Sequence, residues 1–427
     1  MPNRTIAPAF VVPEQVKIQE ARKEYLENGI PLFVIDAGDQ DLIRIDFMFP
    51  AGFWFQPHKW VAGATTSMMY EGTLSKTALQ ISEAIDYYGA FTDHSTNTDF
   101  SYLTIFCLNK HLENVLPIMK EVLTECIFPE DELEAKKQRK KQQLEVNLQK
   151  NNTLALREFK EAVFGKNHPY GYKIIGEDYD RVSRQDLVEF HKNHFNLNKC
   201  KIIAAGKVTP NEIGIINQVF GKEKVGIITK FYFGENDCYP EKDKTRFVQK
   251  SDSLQASIYI GRKLFKRNHQ DFYGMLLLNK VLGGYFGSRL MSNLREDKGY
   301  TYGIHSSVRA YRNDGFFYIH TEVNNDNWKE AVNEIYHEID KLRSESIGTE
   351  ELQIVKNYTM GQFVRSLDGA FSLADSFITI YENDLDYSYY YDYFDKIKNI
   401  SPYEIMQLAN KYLSKEDLFE VVCGNNE

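Results

Sequence analysis

Arg295 and Tyr302 stand seven residues apart in the stretch LGGYFGSRLMSNLREDKGYTYG, residues 282–303. A guanidinium is a rigid, permanently charged fork of donors, and a phenol adds a single O–H donor. The pair therefore suits gripping a peptide carbonyl or carboxylate. The surrounding pattern puts both at one corner. Gly283 and Gly284 close an apolar helix that begins near residue 273. A second helix opens at 287–289 and carries Leu290, Leu294 and Arg295. Gly299 ends it, and alternation from Tyr300 starts a strand. The same residues also fit an ordinary structural arrangement, with Arg295 buried against a helix C-terminus and Tyr302 in a core. Both readings are open on this stretch alone.

Other reactive side chains form weaker patterns. His191 and His194 have the i, i+3 spacing of a two-ligand helix face, but no third ligand or orienting acid accompanies them. His58, His94, His168, His305 and His320 are isolated in sequence and read as surface or satisfied core histidines. Cys107, Cys126, Cys200, Cys238 and Cys423 are scattered and odd in number, which disfavours a disulfide framework or a cysteine zinc site. No cysteine or histidine sits in a recognisable nucleophile motif.

The net charge of −9 argues against nucleic acid as a principal partner, because phosphate neutralisation needs a basic surface. The dense basic run KKQRKK, 136–141, is flanked by acids and reads as a solvated helix face. The opening MPNRTIAPAFVVPEQ has no apolar signal core, and no apolar run approaches the ~18 residues of a membrane span. A cytoplasmic, reducing location is the expectation.

The elements that must position the Arg–Tyr corner follow from periodicity. A chain of 427 residues should form about two to three domains. A half-buried strand (DLIRIDFMF, 41–49) is followed by helices over 58–70 and 76–88. Two antiparallel strands come next (91–108), then a helix over 112–124 and a long charged helix over 130–164. A helix over 184–194, with Ser183 as N-cap and Asp186 three residues on, a strand over 201–206 and a helix over 210–220 complete the half. Residues 222–250 lose helical periodicity. The order then repeats: strand SLQASIYIG, helices over 272–282 and 289–296, two strands meeting at Asn313-Asp314-Gly315, helices over 328–345 and 349–364 with Thr349 as N-cap, and a last helix and strand. The aromatic run 381–397 fits a helix packing its rings or a partner patch.

The expectation is an α+β protein of two tandem homologous domains, each a mostly antiparallel sheet covered by helices on one face. Residues 1–225 form the N-terminal domain, 226–250 a linker and 251–427 the C-terminal domain.

Three stretches carry a resemblance: the segment 282–303, AGFWFQPHKWVAGATTSMMYEGT at 51–73 with the strands after it, and HPYGYKIIGEDYDRVSRQDLVEFHKNHF at 168–195. Together they resemble the insulinase/pitrilysin family, including its short processing-peptidase-like members. Where the family places H-x-x-E-H, this chain has Gly63-Ala64-Thr65-Thr66-Ser67. Gly63, Thr66 and Ser67 thus occupy the ligand and base positions of a degenerate zinc motif. Met68, Tyr70, Gly72 and Thr73 still fit the family pattern. The family's third ligand should fall near 142–145, where Glu145 is the single acid. The resemblance implies no metal in this chain.

The resemblance also implies that Arg295 and Tyr302, beside the glycine loop of Gly283 and Gly284, bind substrate near the scissile bond. Loss of the zinc motif with this corner present looks like the non-zinc subunit of a heterodimeric zinc endopeptidase. The expected partner is a homologous zinc-bearing subunit, the cofactor is zinc in that partner, and the expected substrate is an unfolded peptide. Such a peptide would add to a sheet edge within 99–107 or its repeat 316–323. The alternative is a non-enzymatic binding or scaffold protein of the same fold.

Overall fold

The computed structural model describes residues 13–223 and 240–426. These residues form two sheets. The first contains β1 (Arg22–Tyr25), β2 (Pro31–Asp36), β3 (Leu42–Phe49), β4 (Phe91–Thr96), β5 (Ser101–Leu108) and β6 (Lys201–Gly206). The second contains β7 (Thr245–Gln249), β8 (Gln255–Leu264), β9 (Ile304–Ala310), β10 (Gly315–Asn324) and β11 (Phe419–Gly424).

Their spatial orders are β1-β2-β6-β3-β5-β4 and β7-β11-β8-β10-β9. With β1 set aside, the two orders correspond strand for strand. Each sheet has one parallel pair, β2 with β6 and β7 with β11, and is otherwise antiparallel. The tandem repeat expected from the element order is therefore present in the topology.

Period-two alternation divides the first sheet into two buried faces. Ile43, Ile45, Phe47 and Phe49 of β3 join a core built with helices Val61–Met68, Leu112–Thr124 and Arg184–His194. On the opposite face, Met48 packs with Phe33, Ile35, Ile203 and Ala205 against Leu373, Ala374 and Phe377. Those last residues belong to helix Ala370–Glu382, from the second half of the chain. The second sheet mirrors this arrangement. Ile258, Ile260, Ile319 and Val422 face the second half's own helices, such as Phe272–Leu282 and Trp328–Ser344. Tyr259, Phe316, Phe419 and Val421 instead face Phe159, Val163 and Phe164 of helix Asn151–Phe164, from the first half. So each sheet is covered on one face by its own helices and receives on the other a helix from the opposite half. Phe159 and Phe164 are fully buried in this crossing, and each stabilises it by roughly 1.5–3 kcal/mol over an exposed side chain.

This exchange explains why one expected helix is two. The run 130–164 divides into Glu130–Leu148 and Asn151–Phe164, with Lys150 in an extended conformation between them. Asn151 donates to Ser253 and to the Gln255 carbonyl, which draws the second helix onto the second sheet. A tertiary bond of this kind leaves no local breaker in the sequence.

Three other expectations are corrected. The linker read over 226–250 includes β7, whose residues Thr245–Gln249 pair in parallel with β11, as β2 pairs with β6; residues 224–239 lie outside the described residues. The strands 99–107 and 316–323 are not edges. β5 lies between β3 and β4, and β10 between β8 and β9, because the first strand of each hairpin is the outer one. In these hairpins the edge strands are β4 and β9. Helix Thr349–Arg365 starts after Gly348 in the N-cap position, with Thr349 already helical and no side-chain cap bond. Ser183 does cap its helix, accepting from the Asp186 N–H, while Asp186 accepts the Ser183 N–H in return.

Candidate functional site

Helix Phe272–Leu282 ends at Gly283, and two close approaches fix the glycine loop that follows. The Gly283 carbonyl accepts the Ser306 N–H of β9 at 2.9 Å. A Cβ at Gly283 would lie 2.7 Å from Ser306 Oγ, and one at Gly284 would lie 2.9 Å from Asn279, so both positions need glycine. After the loop, Arg289 forms a bidentate pair with Glu351, at 2.8 and 2.9 Å.

The segment Met291–Asp297 then winds as a π-helix, with the Lys298 N–H reaching back to the Asn293 carbonyl. Leu290, Met291 and Leu294 are buried, and buried Asn293 donates to Glu334 and Glu338 at 3.0 and 2.8 Å. With these groups anchored inward, Arg295 is left exposed on the opposite side. Its guanidinium lies 4.9 Å from the ring of Phe286, itself exposed in the glycine loop. Among the described residues it makes no hydrogen bond or ion pair.

Gly299 turns the chain with φ +65°, and the Tyr300 N–H bonds the Leu294 carbonyl at 2.9 Å. Thr301 pins the next turn. Its hydroxyl reaches the Glu322 carbonyl at 2.8 Å and the Gly303 carbonyl at 2.9 Å, and accepts from Thr321 at 2.9 Å. Tyr302 is held between these tied residues and is 91% exposed. The buried-arginine, core-tyrosine arrangement is therefore excluded. An arginine and a tyrosine whose donors have no partner among the described residues stand in solvent, on a backbone fixed by hydrogen bonds.

Two cavities flank this corner and share Ile304 and His305. One, of about 350 Å³, is lined by Tyr302, His305, His320 and Glu322. The other, of about 420 Å³, is lined by Gly283, Gly284, Phe286, Arg309 and Tyr318. His305 and His320, read separately in the sequence, are direct cross-strand partners with ring centroids 5.3 Å apart. The turn is centred between Arg312 and Asn313, with Gly315 already paired to Ala310; counting outward from Asn313-Asp314-Gly315 would have matched His305 with Val323 instead. Burial pulls both imidazoles down, with the neighbouring ring adding to the effect at His320, which titrates at about 4.

The degenerate motif lies on helix Val61–Met68, where Thr65 and Thr66 are fully buried. Thr66 Oγ1 lies 2.8 Å from Thr96 and 3.0 Å from Ser101, and the Ser101 hydroxyl donates to the Ala51 carbonyl at 2.8 Å. Thr65 and Thr66 also bond back to the Val61 and Ala62 carbonyls. At the helix end, the Lys136 ammonium donates to the Ser67 carbonyl at 3.1 Å and pairs with Glu71 at 2.9 Å. Gly63 offers no ligand, and Glu145 is exposed on its helix. Hydroxyls that satisfy one another, with a cation at the helix end, do not fit a zinc ion. Among the described residues no group of three His, Cys, Asp or Glu is arranged to hold a metal.

His191 and His194 serve packing. His191 Nε2 meets the Leu123 carbonyl at 2.9 Å and its ring stacks on Phe195. His194 Nδ1 meets the Pro50 carbonyl at 3.3 Å and stacks on Phe190. The aromatic run 381–397 also packs, with Tyr389, Tyr390 and Phe394 buried. Among the described residues no helix is long and apolar enough to cross a membrane.

Comparison with known proteins bears on the family and the fold. The description "Insulinase (Peptidase family M16)" matches residues 61–178, and "Peptidase M16 inactive domain" matches 181–358. The chain is 24% identical over 304 residues to the uncharacterized zinc protease YmxG of Bacillus subtilis, covering 70% of this chain and 73% of that one. It is 23% identical over 217 residues to the probable inactive metalloprotease YmfF of the same organism, covering 49% of each. A peptidase M16 inactive domain from Pseudomonas fluorescens has the same fold, with a TM-score of 0.85 at 21% identity over 95% of this chain and 98% of that one. A protease from Helicobacter pylori also has it, with a TM-score of 0.85 at 18% identity over 95% and 100%. This chain belongs to the insulinase family of peptidases, family M16.

Proposed function

We propose that this chain is the zinc-less subunit of a heterodimeric zinc endopeptidase, supplying Arg295 and Tyr302 to a peptide-binding chamber shared with a homologous zinc-bearing subunit. One contrast carries the reading. The motif helix is filled with mutually bonded hydroxyls and ends against Lys136, whereas Arg295 and Tyr302 stand exposed on a fixed backbone with their donors free among the described residues. Hydrolytic chemistry then belongs to a separate chain carrying H-x-x-E-H. On this chain, the Arg295 fork and the Tyr302 hydroxyl orient an extended peptide by donating to its carbonyl or carboxylate oxygens. The relative described as a probable inactive metalloprotease accords with this division.

The test is to mix the purified chain with a zinc-bearing family member and follow cleavage of a quenched unfolded peptide. The expected outcome is no cleavage by this chain alone, activity on mixing, and a loss of ~10²-fold in Arg295→Ala, the size typical of one oxyanion-type donor. Chelator-sensitive cleavage by this chain alone would refute the proposal. Turnover unaffected by Arg295→Ala would point to a scaffold role.

A further inference from the structure

Glu322 is a half-buried carboxylate that makes no hydrogen bond or ion pair through its side chain among the described residues. It lines the cavity of about 350 Å³ beside Tyr302, with His305 and His320 in the same wall. The strand register puts these groups on one face. Glu322, His320 and Tyr318 alternate along β10, and His305 lies opposite His320 on the edge strand β9. The Ser257 hydroxyl on β8 lies 3.2 Å from His320 Nε2, which orients that ring.

The cavity has a definite charge. Both histidines are neutral near pH 7, because burial lowers their titration, with the Arg309 charge adding to the effect at His305 and the His305 ring at His320. The cations on this face of β8 and β9 are Lys263 and Arg309, which both pair with Phe316 in register, and Lys263 is bound to Asp314 at 3.0 Å. Phe316 lies ~20 Å from Glu322 at the rise of an antiparallel strand, beyond the reach of a direct pair. Glu322 thus gives the cavity one uncompensated negative charge. The neutral imidazoles add lone pairs that can accept from a cationic donor.

We infer that this cavity is a specificity pocket for a lysine or arginine side chain of the substrate. The inference rests on the reading that an unfolded peptide runs along this face of the second sheet past Arg295 and Tyr302. The volume admits a long unbranched side chain. Its stem would lie along Ile304 and the Tyr302 ring, and its charged head would meet Glu322 and the imidazoles. A glutamate at the same substrate position would be repelled by Glu322, so the pocket selects by exclusion as well as attraction. Arg309, lining the neighbouring cavity, gives the two cavities opposite charge and so a polarity to the bound peptide.

The test uses short dye-labelled unfolded peptides of Ala, Ser and Leu that differ only in a single central Lys, Gln or Glu. Binding to the full chain alone is read by fluorescence anisotropy, for the wild type, Glu322→Gln and Arg295→Ala. The Lys peptide should bind ~5-fold more tightly than the Gln peptide, the size expected for one partly exposed charge pair. Glu322→Gln should bring the two within about twofold without lowering the melting temperature, and Arg295→Ala should weaken all three peptides alike. A Lys preference that survives Glu322→Gln, equal binding of Glu and Lys peptides, or no binding of any peptide would overturn the pocket. A Lys preference abolished by Glu322→Gln, with no effect of Arg295→Ala, would leave the pocket standing and remove the Arg–Tyr role instead.

Discussion

Replacing Asp99 by asparagine should stabilise the protein at neutral and alkaline pH. Asp99 lies where the halves meet. It is 7% exposed, and its Oδ1 is buried without a hydrogen-bond partner among the described residues. Burial, chiefly, and then the Glu382 carboxylate raise its pKa from 3.8 to about 7, against a smaller opposing pull from the Arg312 guanidinium and backbone N–H. The same junction holds Glu382, which accepts from Asn97 at 2.8 Å and from the Tyr102 hydroxyl, and Arg312, which binds Asp384 and the Glu382 carbonyl. Tyr170 and Tyr311 stack beside it at 4.1 Å.

Because the folded pKa is the higher one, the folded protein holds an extra proton between about pH 4 and 7, and the unfolded chain binds fewer. Stability from this group is full below pH 4 and is lost as pH rises through 7. Three pKa units correspond to ~4 kcal/mol at 1.36 kcal/mol per unit. Asparagine keeps the acceptor for the Arg312 N–H and removes the charge. Urea unfolding of both proteins should show Asp99→Asn more stable by ~2–4 kcal/mol at pH 8, with the difference shrinking to under ~1 kcal/mol at pH 4.5. A variant less stable than wild type at pH 8 would mean that Asp99 is ionised and paired with Arg312, and the argument would fail.

Other substitutions probe the remaining links. Gly283→Ala drives a methyl into Ser306 and should cost ~1–3 kcal/mol in a melt while weakening peptide binding; a silent change would mean the loop is not fixed to β9. Writing the motif back as Gly63→His, Thr66→Glu and Ser67→His should give no stoichiometric zinc by elemental analysis. It should lower stability by ~2 kcal/mol or more, because Thr66 is fully buried in bonds to Thr96 and Ser101. Phe159→Ala should cost ~3–5 kcal/mol and loosen the second sheet in hydrogen exchange, although Phe159 belongs to the first half.

The sequence made the repeat legible because hydrophobic period and turn residues are local signals. DLIRIDFMF and SLQASIYIG became β3 and β8, and Asn313-Asp314-Gly315 became the turn before β10. The helix break at Lys150, the strand Thr245–Gln249 and the outer positions of β4 and β9 depend on partners far along the chain, so no local pattern encodes them. The site divides the same way. The positions of Arg295 and Tyr302 were readable, but their exposure follows from Asn293 and Thr301 holding their neighbours inward. Lys136 was read in a solvated basic run. Its bonds to Ser67 and Glu71 at the motif helix appear only in three dimensions.

The motif helix and the Arg–Tyr corner differ in what stability asks of them. Thr66 is fully buried and shares its hydroxyl with three neighbours, so packing and hydrogen bonding alone account for its chemistry. Arg295 and Tyr302 contribute little to folding. One is exposed over the Phe286 ring with no hydrogen bond or ion pair among the described residues, the other is almost wholly in solvent, and surface changes of that kind usually stay within ~0.5 kcal/mol. In the proposed function, this cation and phenol are held out for a peptide by a backbone fixed through Asn293, Thr301 and Gly283. Arg295→Ala and Tyr302→Phe should therefore leave the melting temperature within about 1 °C of wild type, consistent with a surface change of at most ~0.5 kcal/mol in a chain of this size, while lowering peptide binding. A large drop in melting temperature would assign both residues to structure, and the half-enzyme reading would lose its main support.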